Sequence, residues 1–370
     1  HAPVYALENR SYLYLTRKTT FEFGAKYSKE IFNDRLYEYS FRDSLGYVKL
    51  DPSLITDIEL NTNRFSGYLQ MSHAIDTFQT LSYGVRIGFW DLNKQILISP
   101  SIQYSFKPHW EKNFVFRAAT GIYRQPPFYR ELRNFQGVIN PNLRSQNAFH
   151  GLIGYDFRFK SWGREFKLTN EFYGKYLWDV IPYDIDNVRL RYYAQNNAIA
   201  YVAGIDTRVS GEFIKGSESW FSLSIMQTKE KVDGSPLGWI RRPTDQRVTF
   251  ACFFQDHIPG NPSWKMFLNL VFGTGLPFGQ PNNELSRGQL SIPPYRRVDI
   301  GFSKVLTFNR KEAGTRHFFE SIMLGVEILN ILGVNNTLSY IWVADFNNVN
   351  YAVPQTLSQR FLNGKIIAQF

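Results

Sequence analysis

Apolar and polar residues alternate with a period of two in segments that recur from one end of the chain to the other. From Leu81 to Phe89, the odd positions are all apolar, while the even positions are serine, glycine, arginine and glycine. Successive side chains of a β-strand point to opposite faces, so this pattern predicts strands with one apolar and one polar face. The polar faces carry charges of both signs together with glycines, which suits a wet lumen, and the apolar faces would then meet lipid.

Fifteen such segments are near or above the length of about 9–11 residues with which a tilted strand crosses a bilayer. We therefore predict an all-β fold, a transmembrane antiparallel β-barrel with about 15–16 strands in this chain. A sixteenth strand would come from residues 36–44. A soluble β-sandwich also alternates, but a sandwich of about 100 residues needs far fewer strands. The predicted strands are 4–16, 19–31, 62–74, 79–91, 95–106, 112–123, 148–159, 165–177, 200–213, 219–229, 245–257, 263–273, 295–306, 318–330 and 358–370.

The predicted connections alternate between short turns and long loops. Short turns include 107–111, 160–164, 215–218 and 258–262. Long loops are predicted at 32–61, 124–147, 178–199, 230–244, 274–294 and 331–357. The connection at 91–94 is an exception, because it is short where a long loop is due. Short turns on one rim and long loops on the other are typical of outer-membrane barrels, so we expect the chain to lie in the cell outer membrane.

Composition excludes several other classes of protein. No run of about 18 uncharged apolar residues occurs, so no transmembrane helix is predicted. The 42 Lys and Arg residues exceed the 32 Asp and Glu residues, which suits lipopolysaccharide phosphates or an acidic ligand as partners. These basic residues are dispersed among acidic ones, so we expect no nucleic-acid partner. The single cysteine, Cys252, excludes an intrachain disulfide.

A series of motifs resembles the TonB-dependent outer-membrane receptors, whose barrels carry the same elements in the same order. The resemblance covers most of the chain, although Gln146 stands where a glutamate is commoner in the family. The last strand ends in Phe370, which resembles the terminal aromatic signal for barrel assembly. The matching segments are 123–132, 140–146, 204–206, 242–247, 273–279, 294–299 and 327–332.

The resemblance implies a 22-stranded barrel around a globular plug that carries the TonB-contacting segment. No segment of this sequence resembles that plug. With fifteen strands, the first and the last run the same way, so they cannot close an antiparallel barrel with each other. We therefore expect residues 1–370 to be the C-terminal part of a 22-stranded receptor barrel. The plug and the first strands would lie on a companion chain, after cleavage before His1 or splitting of the gene.

The long loops hold aromatic residues beside arginines and aspartates, a combination that stacks on and hydrogen-bonds to sugars or peptides. The same residues also brace loops and line the lipid-headgroup girdle, and both interpretations stay open for each of them. The predicted ligand-binding residues are Tyr129, Arg130, Arg133, Tyr183, Asp184, Asp186, Tyr192, Tyr193, Trp239, Phe278, Tyr340 and Trp342, with Arg189, Arg191, Arg241 and Asp345 beside them.

Metal and enzyme chemistry find little support in the sequence. Asp184 and Asp186 offer oxygen ligands for Ca²⁺, but the glycine and distal glutamate of a helix–loop–helix calcium site are missing. The six histidines form no His-x-x-x-His pair, and neither a Gly-x-Ser-x-Gly elbow nor a phosphate-binding loop occurs. We therefore predict no enzyme activity, no cofactor and no bound metal.

Two functions fit these observations. In the first, the outer loops capture a ligand, such as a sugar, a peptide or a metal chelate. TonB, reached through the plug, then energises its import. In the second, the barrel is a structural subunit of an outer-membrane assembly and transports nothing. Some relatives work beneath a surface lipoprotein, which is a further predicted partner.

Overall fold

The computed structural model describes residues 3–44, 47–186, 188–214, 216–258, 260–280, 283–307, 319–344, 349–357 and 359–369. Strands are numbered β1–β22 in chain order. Fifteen long strands follow one another in a single antiparallel sheet. They are β1 Val4–Thr16, β2 Thr19–Ser44, β3 Tyr47–Ala74, β4 Gln79–Trp90, β5 Gln95–Phe106, β6 Asn113–Gln125, β7 Gln146–Ser161, β8 Arg164–Val180, β11 Ala198–Ile214, β12 Ser217–Val232, β14 Val248–Ile258, β15 Asn261–Gly273, β18 Tyr295–Thr307, β19 Ser321–Leu329 and β22 Phe361–Gln369.

Seven short strands lie in the connections of this sheet. One of them pairs with β12, and the other six form three two-stranded hairpins. A single 3-10 turn at Glu284–Ser286 is the only helical element in the described ranges. No helix among the described residues has the length and apolarity needed to cross a membrane. The short strands are β9 Tyr183–Asp186, β10 Arg189–Tyr192, β13 Trp239–Arg241, β16 Pro277–Phe278, β17 Leu290–Ser291, β20 Thr337–Ala344 and β21 Asn350–Thr356.

The two faces of the sheet differ as the alternation predicts. On the apolar face, Ile153 and Phe172 are paired across β7 and β8 and remain 65% and 47% exposed. On the polar face, the Arg117 guanidinium lies 3.0 Å from the carboxylate of Asp156 and 3.2 Å from that of Glu171. An apolar outer surface around a charged inner one is the pattern of a membrane-spanning barrel wall. The predicted all-β antiparallel barrel fold is confirmed.

The predicted strand bounds are accurate to a few residues, with one exception between β2 and β3. Residues 32–61 were predicted as a long loop, and this prediction is wrong. The strands pair continuously from Thr19 opposite His73 to Ser44 opposite Tyr47. The proposed sixteenth strand at 36–44 is the end of β2. Cross-strand charge pairs such as Arg35 and Asp57, 3.0 Å apart, support this hairpin, because opposite charges facing each other stabilise a pair of strands.

Connection lengths divide the sheet into a short-turn rim and a long-loop rim. On the first rim, the connections 17–18, 75–78, 107–112, 162–163, 215–216 and 259–260 have two to six residues, whereas the connection 308–320 between β18 and β19 has 13. The loops 126–145, 181–197, 233–247, 274–294 and 330–360 lie on the second, together with the predicted exception, the short turn 91–94.

The first and last strands, β1 and β22, are the two edges of the sheet. Within the described residues, β1 pairs with β2 alone and β22 with β19 alone. Neighbouring strands alternate in direction, so the first and the fifteenth strand both run toward the short-turn rim. An antiparallel closure between them therefore requires an odd number of additional strands.

Candidate functional site at the long-loop rim

The loop 126–145 is held on the barrel rim by a buried apolar cluster. Trp90, Leu132, Leu143 and Ile181 are each at most 1% exposed. They come from the end of β4, from the loop itself and from the residue after β8. Burial of four large apolar side chains contributes several kcal/mol to the folding of this loop, at about 1.5–3 kcal/mol each.

Glu131 fixes the turn that begins this loop. One carboxylate oxygen accepts a hydrogen bond from the backbone N–H of Phe128 at 2.8 Å, and the other accepts one from the Gln146 amide at 2.9 Å. The Gln146 carbonyl oxygen in turn accepts from the backbone N–H of Ile181 at 3.2 Å. A glutamine at this position, where the family more often has glutamate, can donate to the Glu131 carboxylate, whereas a second carboxylate would be repelled.

Two predicted ligand residues of this loop, Tyr129 and Arg133, bind the β2–β3 hairpin. The Tyr129 hydroxyl donates to the Glu30 carboxylate and lies 3.1 Å from the Thr62 hydroxyl. Its ring stacks on Phe32 with centroids 4.5 Å apart. The Arg133 guanidinium lies 2.5 Å from the carboxylate of Asp34. These two side chains therefore brace the loop against the hairpin.

Arg287 lies at the centre of a second cluster, which gathers three of the predicted ligand residues. Its guanidinium is 2.8 Å from Asp184 and 2.8 Å from Glu230, and it donates to the carbonyl of Tyr183 at 2.9 Å. The Tyr193 hydroxyl donates to Asp184 at 3.0 Å. Glu230 is fully buried, and an unpaired carboxylate there would cost several kcal/mol. The guanidinium thus compensates two buried carboxylates at once.

Asp245 forms a third cluster at the start of β14. It is fully buried, and its carboxylate accepts hydrogen bonds from Arg241 at 2.7 Å and from Arg247 at 2.8 Å. It also accepts from the backbone N–H of Thr228 at 2.7 Å, which ties the loop to β12. The Arg-Pro-Thr-Asp-Gln-Arg motif at 242–247 is therefore a structural clamp for this loop, with Asp245 as its centre.

Asp186 and Glu38 share two arginines between the 181–197 loop and the end of β2. Arg191 lies 2.7 Å from each carboxylate, and Arg189 lies 3.3 Å from Asp186 and 3.2 Å from Glu38. Asp184 faces the separate Arg287 cluster, so the two aspartates that were considered for Ca²⁺ are engaged by different guanidinium groups. Across the residues the structure describes, no group of three or more His, Cys, Asp or Glu side chains is arranged to hold a metal ion.

The remaining predicted ligand residues form aromatic contacts or face solvent. Phe278 stacks on Tyr340 with ring centroids 4.5 Å apart, and Trp342 lies 6.4 Å away. The Trp239 ring packs edge-on against Tyr201 at 5.3 Å and stays 43% exposed. Tyr192 packs on the apolar cluster around Leu132.

Arg130 is exposed on the loop 126–145. Asp345 and the predicted assembly signal, Phe370, lie outside the described residues.

Burial changes the acidity of several loop groups. Burial raises the pKa of Glu131 above its ordinary value, although the hydrogen bonds from Phe128 and Gln146 act in the opposite direction. Burial likewise raises the pKa of Asp184, and the neighbouring Arg287 offsets part of that rise. The pKa of Tyr193 is raised by burial and by the negative charge of the Asp184 carboxylate, which accepts a hydrogen bond from the Tyr193 hydroxyl. These hydroxyl and carboxyl groups therefore act here as fixed hydrogen-bonding groups.

The structure brings the predicted residues together in two groups, one around Arg287 and one around Phe278. Asp184, Phe278, Arg241 and Arg287 line one narrow recess between these groups. Glu131 and Asp245 were not predicted as site residues, although their positions in the motif segments 123–132 and 242–247 were a signal for them. Glu230 and Arg287 were not predicted either, because no local pattern marks them. Contact between these side chains and a ligand remains a prediction.

No protein-family model matches the sequence, and no curated protein does either. Solved structures with the same fold cover the whole chain. The ferric enterobactin receptor PfeA of Pseudomonas aeruginosa matches 100% of this chain and 54% of its own, with 12% identity and a TM-score of 0.66. The outer membrane transporter YddB of Escherichia coli matches 99% of this chain and 54% of its own, with 11% identity and a TM-score of 0.64.

The copper transporter OprC matches 99% of this chain and 57% of its own, with 12% identity and a TM-score of 0.67. These neighbours are receptors and transporters rather than enzymes. The chain spans about half the length of each of them. At this level of identity the likeness concerns the fold, which agrees with the predicted outer-membrane localisation. The chain has the β-barrel fold of the TonB-dependent outer-membrane receptors that the sequence motifs resemble, over a little more than half of such a barrel protein.

Proposed function

We propose that this chain forms the larger part of the barrel of an outer-membrane receptor that imports a ligand captured at its long-loop rim. The observation that carries this proposal is the sheet itself. Its fifteen strands follow, over the whole chain, the fold of proteins described as receptors and transporters for ferric enterobactin and copper. The long-loop rim, with its aromatic and charged clusters, would face the outside of the cell.

The remainder of the barrel would come from strands that join β1 to β22. Those strands must be odd in number, and seven would give the 22-stranded barrel typical of plugged outer-membrane transporters. These strands and the plug would come from sequence outside residues 1–370, and TonB would act on the barrel through that plug. Lipid and lipopolysaccharide would contact the apolar face, and a surface lipoprotein is a further proposed partner at the long-loop rim.

Ion pairs between arginines and buried carboxylates hold the loops of the rim in defined positions. Three carboxylates at the rim, Asp184, Glu230 and Asp245, are at most 9% exposed, and each has an arginine within 3 Å. Such a preorganised rim lowers the entropy lost when loops close on a ligand. The half-buried rings of Phe278, Tyr340 and Trp342 would then offer the stacking surface, since aromatic faces bind sugars and planar chelates.

An uptake experiment in cells tests the proposal. A strain without this chain and a strain without TonB would be supplied with one panel of labelled oligosaccharides, peptides and iron or copper chelates. Import predicts that both strains lose uptake of the same compound, and that plasmid-borne parent chain restores it only in the first. Normal uptake of every compound in the strain without this chain would contradict import and favour a structural subunit of a membrane assembly.

The source of the additional strands is tested separately. The protein would be extracted from outer membranes in mild detergent and examined by native and denaturing mass spectrometry. We expect the barrel to contain a plug and several strands besides residues 1–370, and the denatured masses show whether they share a polypeptide with these residues. A self-closed barrel of this chain alone would contradict the proposed 22-stranded barrel.

A further inference from the structure

A pocket of about 270 Å³ opens on the polar face of the sheet where β2, β3, β4 and β5 lie side by side. The beginning of the loop 126–145 covers one side of it. Four cationic side chains line the pocket, against the single carboxylate of Glu30. The cations are Lys26, Arg64, Arg86 and Arg124.

Only two of these four cations have a carboxylate partner within the described residues. Arg64 lies 3.1 Å from Glu30, and Lys26 lies 3.3 Å from Glu8. Arg86 instead lies over the ring of Tyr68, with its guanidinium carbon 5.6 Å from the ring centroid. The described part of the chain gives neither Arg86 nor Arg124 an acidic partner. The pocket therefore carries an excess of positive charge that the surrounding wall does not compensate.

Three buried donors beside this pocket make no hydrogen bond within the described residues. They are the Nε atom of Arg124, the indole Nε1 atom of Trp90 and the Nε atom of Arg64, although the last forms an ion pair with Glu30. Trp90 is 1% exposed and lines the same pocket. A buried donor without an acceptor is unfavourable by about 1–3 kcal/mol, and buried donors in folded proteins are nearly always satisfied. The pocket thus combines unpaired cations with unused donors.

Contacts within the protein hold two of these side chains, Arg64 and Trp90, in place. The Arg64 guanidinium lies 4.2 Å from the centre of the Trp90 ring, a distance typical of a cation–π contact. It is held on its other side by Glu30 and reaches the carbonyl of Pro127 at 3.5 Å. The volume is near the lower end of the range for small-molecule sites, so it fits one compact group rather than a whole folded segment.

We propose that this pocket is an oxyanion subsite that takes a carboxylate or phosphate group of the imported ligand, and that the ligand is therefore anionic. This inference rests on the proposed function and names the class of its ligand. Arg86 and Arg124 supply the charge-assisted hydrogen bonds, because their guanidinium groups have no competing carboxylate. Arg64, already paired with Glu30, positions Trp90 at the wall of the pocket.

The test is a titration of the full-length protein in mild detergent, with any companion chain retained. Citrate and inorganic phosphate are the two probes, and glycerol is the uncharged control. The variants are Arg86→Gln and Arg124→Gln, with Arg86→Lys to restore the charge. Arg208→Gln is the matched control, because Arg208 is also an exposed arginine stacked on a ring, 4.9 Å from that of Trp220, outside this pocket. The gel shift of unboiled barrel protein checks that every variant is folded.

We expect saturable binding of citrate, phosphate or both, at low ionic strength. Arg86→Gln and Arg124→Gln should each weaken that binding about tenfold, which is about 1.4 kcal/mol. Arg86→Lys should recover part of it, and Arg208→Gln should leave it unchanged. The probe that binds more tightly identifies the oxyanion as a carboxylate or a phosphate.

Several results would overturn the subsite. The first is that neither probe binds saturably. The second is that the parent and both glutamine variants bind the probes equally well. The third is that Arg208→Gln weakens binding as much as Arg86→Gln and Arg124→Gln do. Binding of an Asp- and Glu-rich peptide without binding of citrate or phosphate would also overturn it, since the pocket would then hold a protein segment. Uptake in cells separates the two proposals. If cells with Arg86→Gln take up the ligand normally, the proposed anionic subsite is contradicted, but the proposed import is not. If the protein binds anions but supports no uptake, the proposed import is contradicted, but the subsite is not.

Discussion

Two arginine-rich regions of this barrel differ in whether their arginines are paired with carboxylates. Around Asp184, Glu230 and Asp245, buried carboxylates are each matched by guanidinium groups at 2.7–2.8 Å. In the pocket around Arg86 and Arg124, cations outnumber carboxylates, and two of the arginines have no acidic partner in the described part of the chain. Matched charges secure the loops, whereas unmatched ones leave a field that can attract an anion.

The difference shows that arginine content alone does not locate a binding site in a barrel of this kind. Arg241 and Arg242 stand out in the sequence of the loops, yet each pairs with a buried acidic residue. Arg287, which no sequence pattern marks, is paired in the same way. Arg86 lies within a strand and drew no attention as a site residue. The arrangement of acids around each guanidinium decides which arginine is available to a ligand.

The largest expected loss of stability comes from removing one of the buried carboxylates that are paired with arginines. Asp245→Asn removes the carboxylate that pairs with Arg241 and Arg247, so we expect a loss of about 3 kcal/mol in local stability. Hydrogen–deuterium exchange of residues 233–247 in the detergent-solubilised protein measures it. Glu165→Gln is the control, because the ion pair of Glu165 with Lys160 is 3.9 Å long and exposed, and should contribute less than about 1 kcal/mol. Equal protection of this loop in the parent and in Asp245→Asn would contradict the clamp.

A second effect is the pH dependence of the loop anchored by Glu131. The unfolded carboxyl titrates near 4.5, and burial raises the pKa in the folded protein. Between these two pKa values the folded form binds more protons, so stability should fall as pH rises through that window. Glu131→Gln should abolish this slope and, at neutral pH, lose about 1–2 kcal/mol through one missing acceptor. The measurement is the urea midpoint of both proteins from pH 4 to pH 7, and parallel curves would refute the assignment.

A third prediction concerns the stability of the pocket around Arg86 and Arg124. Because these arginines have no acidic partner within the described residues, removing one of their charges should change the stability little. Arg86→Gln removes no ion pair within the described residues, so its urea midpoint should change by less than about 0.5 kcal/mol. The same substitution is expected to weaken anion binding. Arg287→Gln is the comparison, since it would remove one of the two guanidinium groups that pair with the buried carboxylate of Glu230. A large loss of stability in Arg86→Gln would show that its charge is compensated after all.

The smallest effect concerns the exposed ion pair Arg35–Asp57 on the β2–β3 hairpin. Its side chains are 73% and 62% exposed, so removing either charge should cost about 0.5 kcal/mol or less. A double-mutant cycle with Arg35→Gln and Asp57→Asn, repeated at low and high salt, measures the coupling. A coupling above about 1 kcal/mol would place this pair with the matched clusters instead.

Alternation was sufficient to predict the fold because each strand has its own two-faced pattern. Ile87 and Phe172 point to the apolar surface, as their positions in the pattern require. Local patterns failed at residues 32–61, where charge pairs such as Arg35–Asp57 replace the apolar face beyond the bilayer. They also failed at Arg287, whose partners Asp184 and Glu230 are 103 and 57 positions away in the chain. Such long-range compensation of charge leaves no periodic signal.

The β2–β3 hairpin extends far beyond what a membrane crossing requires. Strand β2 has 26 residues, whereas about 9–11 cross the bilayer, so roughly fifteen continue outward for about 50 Å at about 3.4 Å per residue. Asp34 and Glu38 attach this projection to two neighbouring loops through Arg133 and Arg191. A force or a bound protein acting on the tip of the hairpin is thereby transmitted to both loops, so the projection is a lever arm on the mouth of the barrel.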